Sequence, residues 1–208
     1  MRAVEIETPH GPARAHLAEA GEASAALLLG HGAGGGVDAP DLVAATGAAN
    51  DSGVSVALVE QPYLVAGKRS QPAVSKLDEA WVAVAEELRG GDLSGLPLIT
   101  GGRSAGARVA CRTVADTGAV AALCLAFPVH PPGKPEKSRL DELDAVGVPV
   151  LVVQGESDPF GMPPGGPDRT VVTVPGNHGL RKDLEAVAGA VREWVPGVVR
   201  AAARSLPG

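Results

Sequence analysis

Residues 100–108 read Thr100-Gly101-Gly102-Arg103-Ser104-Ala105-Gly106-Ala107-Arg108, between the apolar run Leu96-Pro97-Leu98-Ile99 and a stretch with helical character. Ser104 therefore stands at a strand-to-helix turn, where Gly102, Ser104 and Gly106 match G-x-S-x-G. Small residues on either side of a serine let the chain turn so tightly that the hydroxyl stands clear of both elements, strained and exposed. Three matching residues arise easily in a chain with 28 glycines. The weight comes from the strand before and the helix after. A serine that merely begins a helix is the plainer alternative.

Outward from this turn, short apolar runs recur: Ala25–Leu29, Val54–Val59, Leu98–Ile99, Val120–Leu125, Val148–Val153 and Val171–Val174. Strands that are apolar almost throughout belong to parallel sheets buried on both faces. Helical patterns alternate with them. The clearest is Ser75–Arg89, where Leu77, Ala80, Trp81, Val84, Ala85 and Leu88 mark one face and Ser75 is a candidate N-cap. Others run over Pro40–Asn50, Ala105–Asp116, Arg139–Val146 and Leu180–Val195, the last stopped by Pro196-Gly197. Ahead of them, Val4–Glu7 and Ala13–Leu17 alternate with period two around Pro9–Pro12, the pattern of an edge hairpin. The order predicts a three-layer α/β fold, its sheet mostly parallel with an antiparallel N-terminal edge strand.

The 208 residues, 45% hydrophobic, suit one domain over 1–208. Aromatic residues make up 2%, so the core must be built from Ala, Val and Leu. A net charge of -6 offers no basic footprint for nucleic acid or an anionic membrane, and leaves a small molecule as the expected partner. No apolar run reaches the roughly 18 residues of a membrane span, and Met1–Glu5 lacks the apolar core of a signal peptide. A cytoplasmic protein is expected. Cys111 and Cys124 lack C-x-x-C spacing and read as small core residues, so no metal site and no cofactor are implied. The oligomeric state is left open.

In an open α/β sheet the chemistry collects beyond the carboxyl ends of the strands. A serine hydroxyl near neutral pH needs a base to take its proton, and a histidine oriented by a carboxylate meets that need. Asp158 and His178 follow Ser104 in the chain, each in a loop directly after a predicted strand. Glu156 and Asp168 are rival acids. Asp158 is preferred because Gly155 and Gly161 bracket a loop able to turn a short side chain back toward the strand ends. The developing oxyanion needs donors fixed in advance. The backbone N–H of Ala105 supplies one, and an N–H of the turn Gly30-His31-Gly32-Ala33-Gly34-Gly35-Gly36, that of Ala33, the other. His31, Arg103 and His130 are candidates for substrate contacts. For Arg103 the alternative is a structural carboxylate, and for His130 a satisfied structural role.

Gly-His-Gly-Ala-Gly-Gly at 30–35, Gly-Arg-Ser-Ala-Gly-Ala-Arg at 102–108, Phe-Pro-Val-His-Pro-Pro-Gly-Lys-Pro at 127–135 and Gln-Gly-Glu-Ser-Asp-Pro-Phe-Gly at 154–161 together resemble the small lidless α/β-hydrolases. The likeness is greatest to the dienelactone-hydrolase-related branch with a testis-expressed protein and a subunit of an animal histone-acetyltransferase complex. It implies an α/β-hydrolase fold without a cap domain and a serine hydrolase (carboxylesterase/thioesterase-like) acting on a small acyl substrate. Dienelactone hydrolase itself carries cysteine where this chain has Ser104, so its substrate does not transfer. Two other functions compete. One is a catalytically silent interaction module with this fold. The other is a dinucleotide-binding oxidoreductase, because Gly30, Gly32 and Gly35 also spell G-x-G-x-x-G and Glu60 ends the next strand. That reading requires a helix to start at the third glycine, and Gly36–Pro40 delays it.

Overall fold

The computed structural model describes residues 1–205; the last three residues of the 1–208 span lie outside the described residues. Eight strands form one sheet: β1 (Arg2–Ile6), β2 (Ala13–Ala18), β3 (Ala25–Gly30), β4 (Val54–Glu60), β5 (Leu98–Arg103), β6 (Ala121–Leu125), β7 (Val150–Gly155) and β8 (Arg169–Val174), in the spatial order β1-β2-β4-β3-β5-β6-β7-β8. Strands β3 to β8 run parallel, whereas β2 is antiparallel to both β1 and β4. The antiparallel N-terminal hairpin at the sheet edge and the parallel sheet inside it are as the patterns predicted.

Alternation along each strand divides the core. Leu27 and Leu29 of β3 join Ile99, Leu123, Leu125 and Leu151 on one face, where α1 (Pro40–Asp51) and α6 (Leu184–Ser205) cover them. Ala26 and Leu28 face the other way, toward α3 (Val74–Gly90), whose buried side is the predicted set Leu77, Ala80, Trp81, Val84, Ala85 and Leu88. Beyond it, α4 (Ala105–Arg112) and α5 (Leu140–Asp144) close the same layer over Cys124, Phe127 and Val152. The indole N–H of Trp81 donates to Thr100 Oγ1 at 3.2 Å, so this large buried ring leaves its donor satisfied.

Four local expectations change. Helix α3 begins after Ala73, and Ser75 makes no capping bond. A four-residue helix, α2 (Pro62–Val65), precedes it, with proline at its start where the missing N–H costs nothing. Helix α6 starts at Leu184 and not Leu180, because Leu180 holds φ 46° and Asp183 Oδ1 accepts the Ala186 N–H as an N-cap would. The same helix continues through Pro196 to Ser205. Val195, Val198 and Ala202 stay buried on its inner face, which offsets the lost hydrogen bond of the proline. Between β6 and α5 the chain forms no cap domain. Among the described residues, no helix is long and apolar enough to cross a membrane.

Candidate active site

Ser104 follows the last residue of β5 and holds φ 52° and ψ -107°. A positive φ at serine is strained by about 1–3 kcal/mol and persists only where the surroundings impose it. Here they do. The Ser104 N–H continues the ladder to Leu125 O at 2.9 Å, while its carbonyl already accepts the Arg108 N–H of α4. The flanking glycines are required by close approach: a Cβ at 102 would stand 2.6 Å from the Gly30 carbonyl oxygen, and one at 106 would collide with the same peptide.

Two loops bring the partners to this hydroxyl. His178 Nε2 lies 2.9 Å from Ser104 Oγ, and His178 Nδ1 lies 2.9 Å from Asp158 Oδ2. The Asp158 side chain is fully buried, and that of His178 is 16% exposed. With Nδ1–H donating to the carboxylate, Nε2 is left as an acceptor for the serine proton. Asp158 is itself held on both oxygens. Oδ1 accepts the Phe160 N–H at 2.8 Å, and Oδ2 accepts Gln154 Nε2 at 2.9 Å. Gln154 Nε2 also reaches the carbonyls of Phe127 and Gly161, so the amide can face only this way; reversed, its oxygen would meet a carboxylate and two carbonyls. The Phe160 ring stacks on the His178 imidazole, centroids 4.0 Å apart, and limits its rotation.

The rival acids stand elsewhere. Glu156 is exposed beside Lys182 and the Gly176 N–H, and Asp168 is exposed ahead of β8. Ala105 opens α4, so its N–H belongs to the first turn that no helical carbonyl reaches, at the positive end of the helix. Ala33 lies exposed in the turn after β3, its carbonyl accepting Tyr63 Oη at 3.5 Å and its N–H without a partner among the described residues.

The three substrate-contact candidates fare differently. His31 is buried and saturated: Nδ1–H donates to the Gly32 carbonyl at 2.9 Å, and Nε2 accepts the Gln61 N–H at 3.2 Å. Desolvation holds its pKa below the usual histidine range. Both ring nitrogens are thus engaged within the protein, which ties the turn after β3 to the start of α2. Arg103 takes the second of its two readings, pairing with the buried Asp41 through Nε at 3.1 Å. His130 is half-buried, its Nδ1 donating to the Pro131 carbonyl and its Nε2 packed against Gly161, in the loop that supports Asp158. Glu60, the ribose carboxylate of the dinucleotide alternative, pairs instead with Arg14 and His16. Cys111 and Cys124 are both buried and free.

Gln154, Phe160 and Asp41 were not singled out from sequence. A signal existed for the first: a lone amide among the apolar residues of a buried strand needs partners. A cleft of about 550 Å³ is lined by Ala33–Gly36 of the glycine-rich turn, Leu64 and Gly67–Arg69. A larger cavity, about 780 Å³, lies at the opposite ends of the strands beside Leu98, Val120 and Pro149, away from Ser104.

A model of the alpha/beta hydrolase domain matches residues 23–165, a span that holds Ser104 and Asp158 and ends before His178. No curated protein sequence matches the chain. Among solved structures, a lidless a/b serine hydrolase from Xanthomonas campestris is similar at TM-score 0.78 and 23% identity, over 100% of this chain and 95% of that one. Est1E from Butyrivibrio proteoclasticus follows at TM-score 0.77 and 19% identity, covering 96% and 100%. A dienelactone hydrolase from Anabaena variabilis gives 0.74 and 18%, covering 94% and 96%. At these identities the likeness is one of fold.

Proposed function

The chain belongs to the alpha/beta hydrolase family, and on that premise we propose that it is a serine hydrolase cleaving a small ester, thioester or related acyl substrate through an acyl-enzyme at Ser104. The observation that carries the reading is the unbroken line of hydrogen bonds from Asp158 through His178 to Ser104. Ser104 Oγ attacks the acyl carbon while His178 Nε2 takes its proton, and the imidazolium is stabilised by Asp158. The carbonyl electrons move onto oxygen, which turns toward the N–H groups of Ala105 and Ala33. Collapse breaks the bond to the leaving group, which receives the proton from His178. Water, deprotonated by the same imidazole, then attacks the acyl-serine and frees the acid. A finer placement, in the branch resembling the testis-expressed and acetyltransferase-complex proteins, rests on the four motifs at 30–35, 102–108, 127–135 and 154–161.

An organofluorophosphonate probe tests the reading without knowledge of the substrate. Wild type is expected to be labelled at one site, and Ser104→Ala not at all. Asp158→Asn, which leaves the wrong tautomer facing the serine, is expected to lower turnover of an acetyl ester about 10⁴-fold, whereas Asp168→Asn leaves it unchanged. A folded wild type that resists the probe would sink the proposal and favour an interaction module.

A further inference from the structure

Arg103 is the last residue of β5, next to Ser104 in the chain. Strand alternation sends its side chain to the face of Ile99, toward α1 and α6. There the guanidinium meets three segments. Its Nε donates to Asp41 Oδ2 at 3.1 Å in the first turn of α1, and one Nη donates to the His178 carbonyl oxygen at 3.2 Å. The other Nη occupies the space beside Gly32, where a Cβ would come within 2.7 Å of it. A Cβ at Gly32 would have to push the guanidinium aside.

A buried ion pair is a weak argument for stability, since well-packed apolar residues of similar volume often serve as well. A planar fork with arms in fixed directions does something else: it sets distances between the segments it joins. The two segments here need that. His31 anchors the base of the glycine-rich turn through its bonds to the Gly32 carbonyl and the Gln61 N–H, but beyond Gly32, among the described residues, the turn is tied by two long bonds, Gly35 N–H to Gly32 O at 3.4 Å and Tyr63 Oη to Ala33 O at 3.5 Å. The peptide of His178 is held from the side chain of Arg103, 75 residues away.

We propose that Arg103 is a positioning residue, clamping the Gly32–Ala33 turn and the His178 loop against the serine elbow so that oxyanion donor and general base face Ser104 together. This rests on the serine-hydrolase reading above and adds to it a group that touches neither substrate nor the reacting atoms. Asp41 completes the clamp by fixing the plane of the guanidinium. Its own second oxygen accepts the Leu42 N–H, which ties it to α1.

Two variants separate positioning from mere stability. Arg103→Lys keeps a cation against Asp41 but loses the fork. The pair Arg103→Met with Asp41→Leu removes both charges at similar volume, so the fold should hold. For both, kcat on an acetyl ester is expected to fall on the order of a hundredfold with KM little changed, the cost of a displaced group at the reacting centre. The downfield proton signal of the His178 Nδ1–H, present in wild type, is expected to broaden or vanish in Arg103→Lys. Wild-type kcat in the folded double variant would overturn the proposal, and should that variant not fold, wild-type kcat in Arg103→Lys would do the same. Failure of wild type to react with the fluorophosphonate would count against the hydrolase reading instead. The proton signal needs no substrate and still decides the place of Arg103.

Discussion

His31 must donate through Nδ1 and accept through Nε2, which only the neutral imidazole can do. Protonation would set Nε2–H against the Gln61 N–H, donor against donor. Folding therefore lowers the pKa of His31 from its ordinary value of 6.5, burial being the main cause. The unfolded chain takes up this proton at higher pH than the folded one. Stability is lost as pH falls below about 6.5, until the folded imidazole also titrates. Asp41 acts in the opposite sense. Burial raises its pKa from 3.8, against the pull of Arg103, so its contribution weakens as pH rises from about 3.8 through its folded pKa, above which the carboxylate pairs with Arg103. His31→Gln is expected to lose about 1 kcal/mol near neutral pH through poorer hydrogen bonding. It should also flatten the fall of the urea midpoint below about pH 6.5. A slope equal to that of wild type would contradict this account.

Helix α6 shows what burial can override. Pro196 withholds an N–H from the helix and crowds the preceding turn, a cost of about 3 kcal/mol in a helix interior. Replacing it by Ala is expected to stabilise the protein by about 1–3 kcal/mol, the lower figure allowing for fraying near the helix end. Urea unfolding checks this as a rise in midpoint at constant m; a fall would show that the proline itself is needed there. The same helix marks the limit of reading from sequence. The strands and α3 were legible because their periodicity comes from burying a whole face, and Ser104, Asp158 and His178 because each sits where a strand ends. Pro196-Gly197 is a local stop signal, and Val195, Val198 and Ala202 outweigh it only because the sheet lies beneath them. Arg103 and His31 could not be placed for a related reason. Their partners, Asp41 and Gln61, are 62 and 30 residues away, and nothing in the local pattern carries that distance.

The absence of a cap domain bears on what the whole molecule can accept. The segment after β6 carries four prolines between Pro128 and Lys137 and packs down onto the acid loop through the His130 N–H and the Phe160 carbonyl, so it forms no roof over Ser104. On the acyl-hydrolase proposal, a long acyl chain would remain in water beyond its first carbons. Full burial would contribute about 0.8 kcal/mol, near fourfold, for every methylene. We predict kcat/KM that changes far less than this from acetyl to decanoyl esters, and no rise at a lipid interface; a steady fourfold gain per methylene would reveal an apolar groove. The layer on the other side of the sheet sets a different condition, one of timing. Leu42, Ala45, Ala48 and Ala49 of α1 share their core with Val187, Val191 and Val195 of α6, so α1 is covered by a helix synthesised much later. While the chain emerges from the ribosome, α1 can pack on β4 and β5, but the part of its apolar face that meets α6 stays open until α6 is free. Aggregation risk therefore persists until residues 184–205 have emerged.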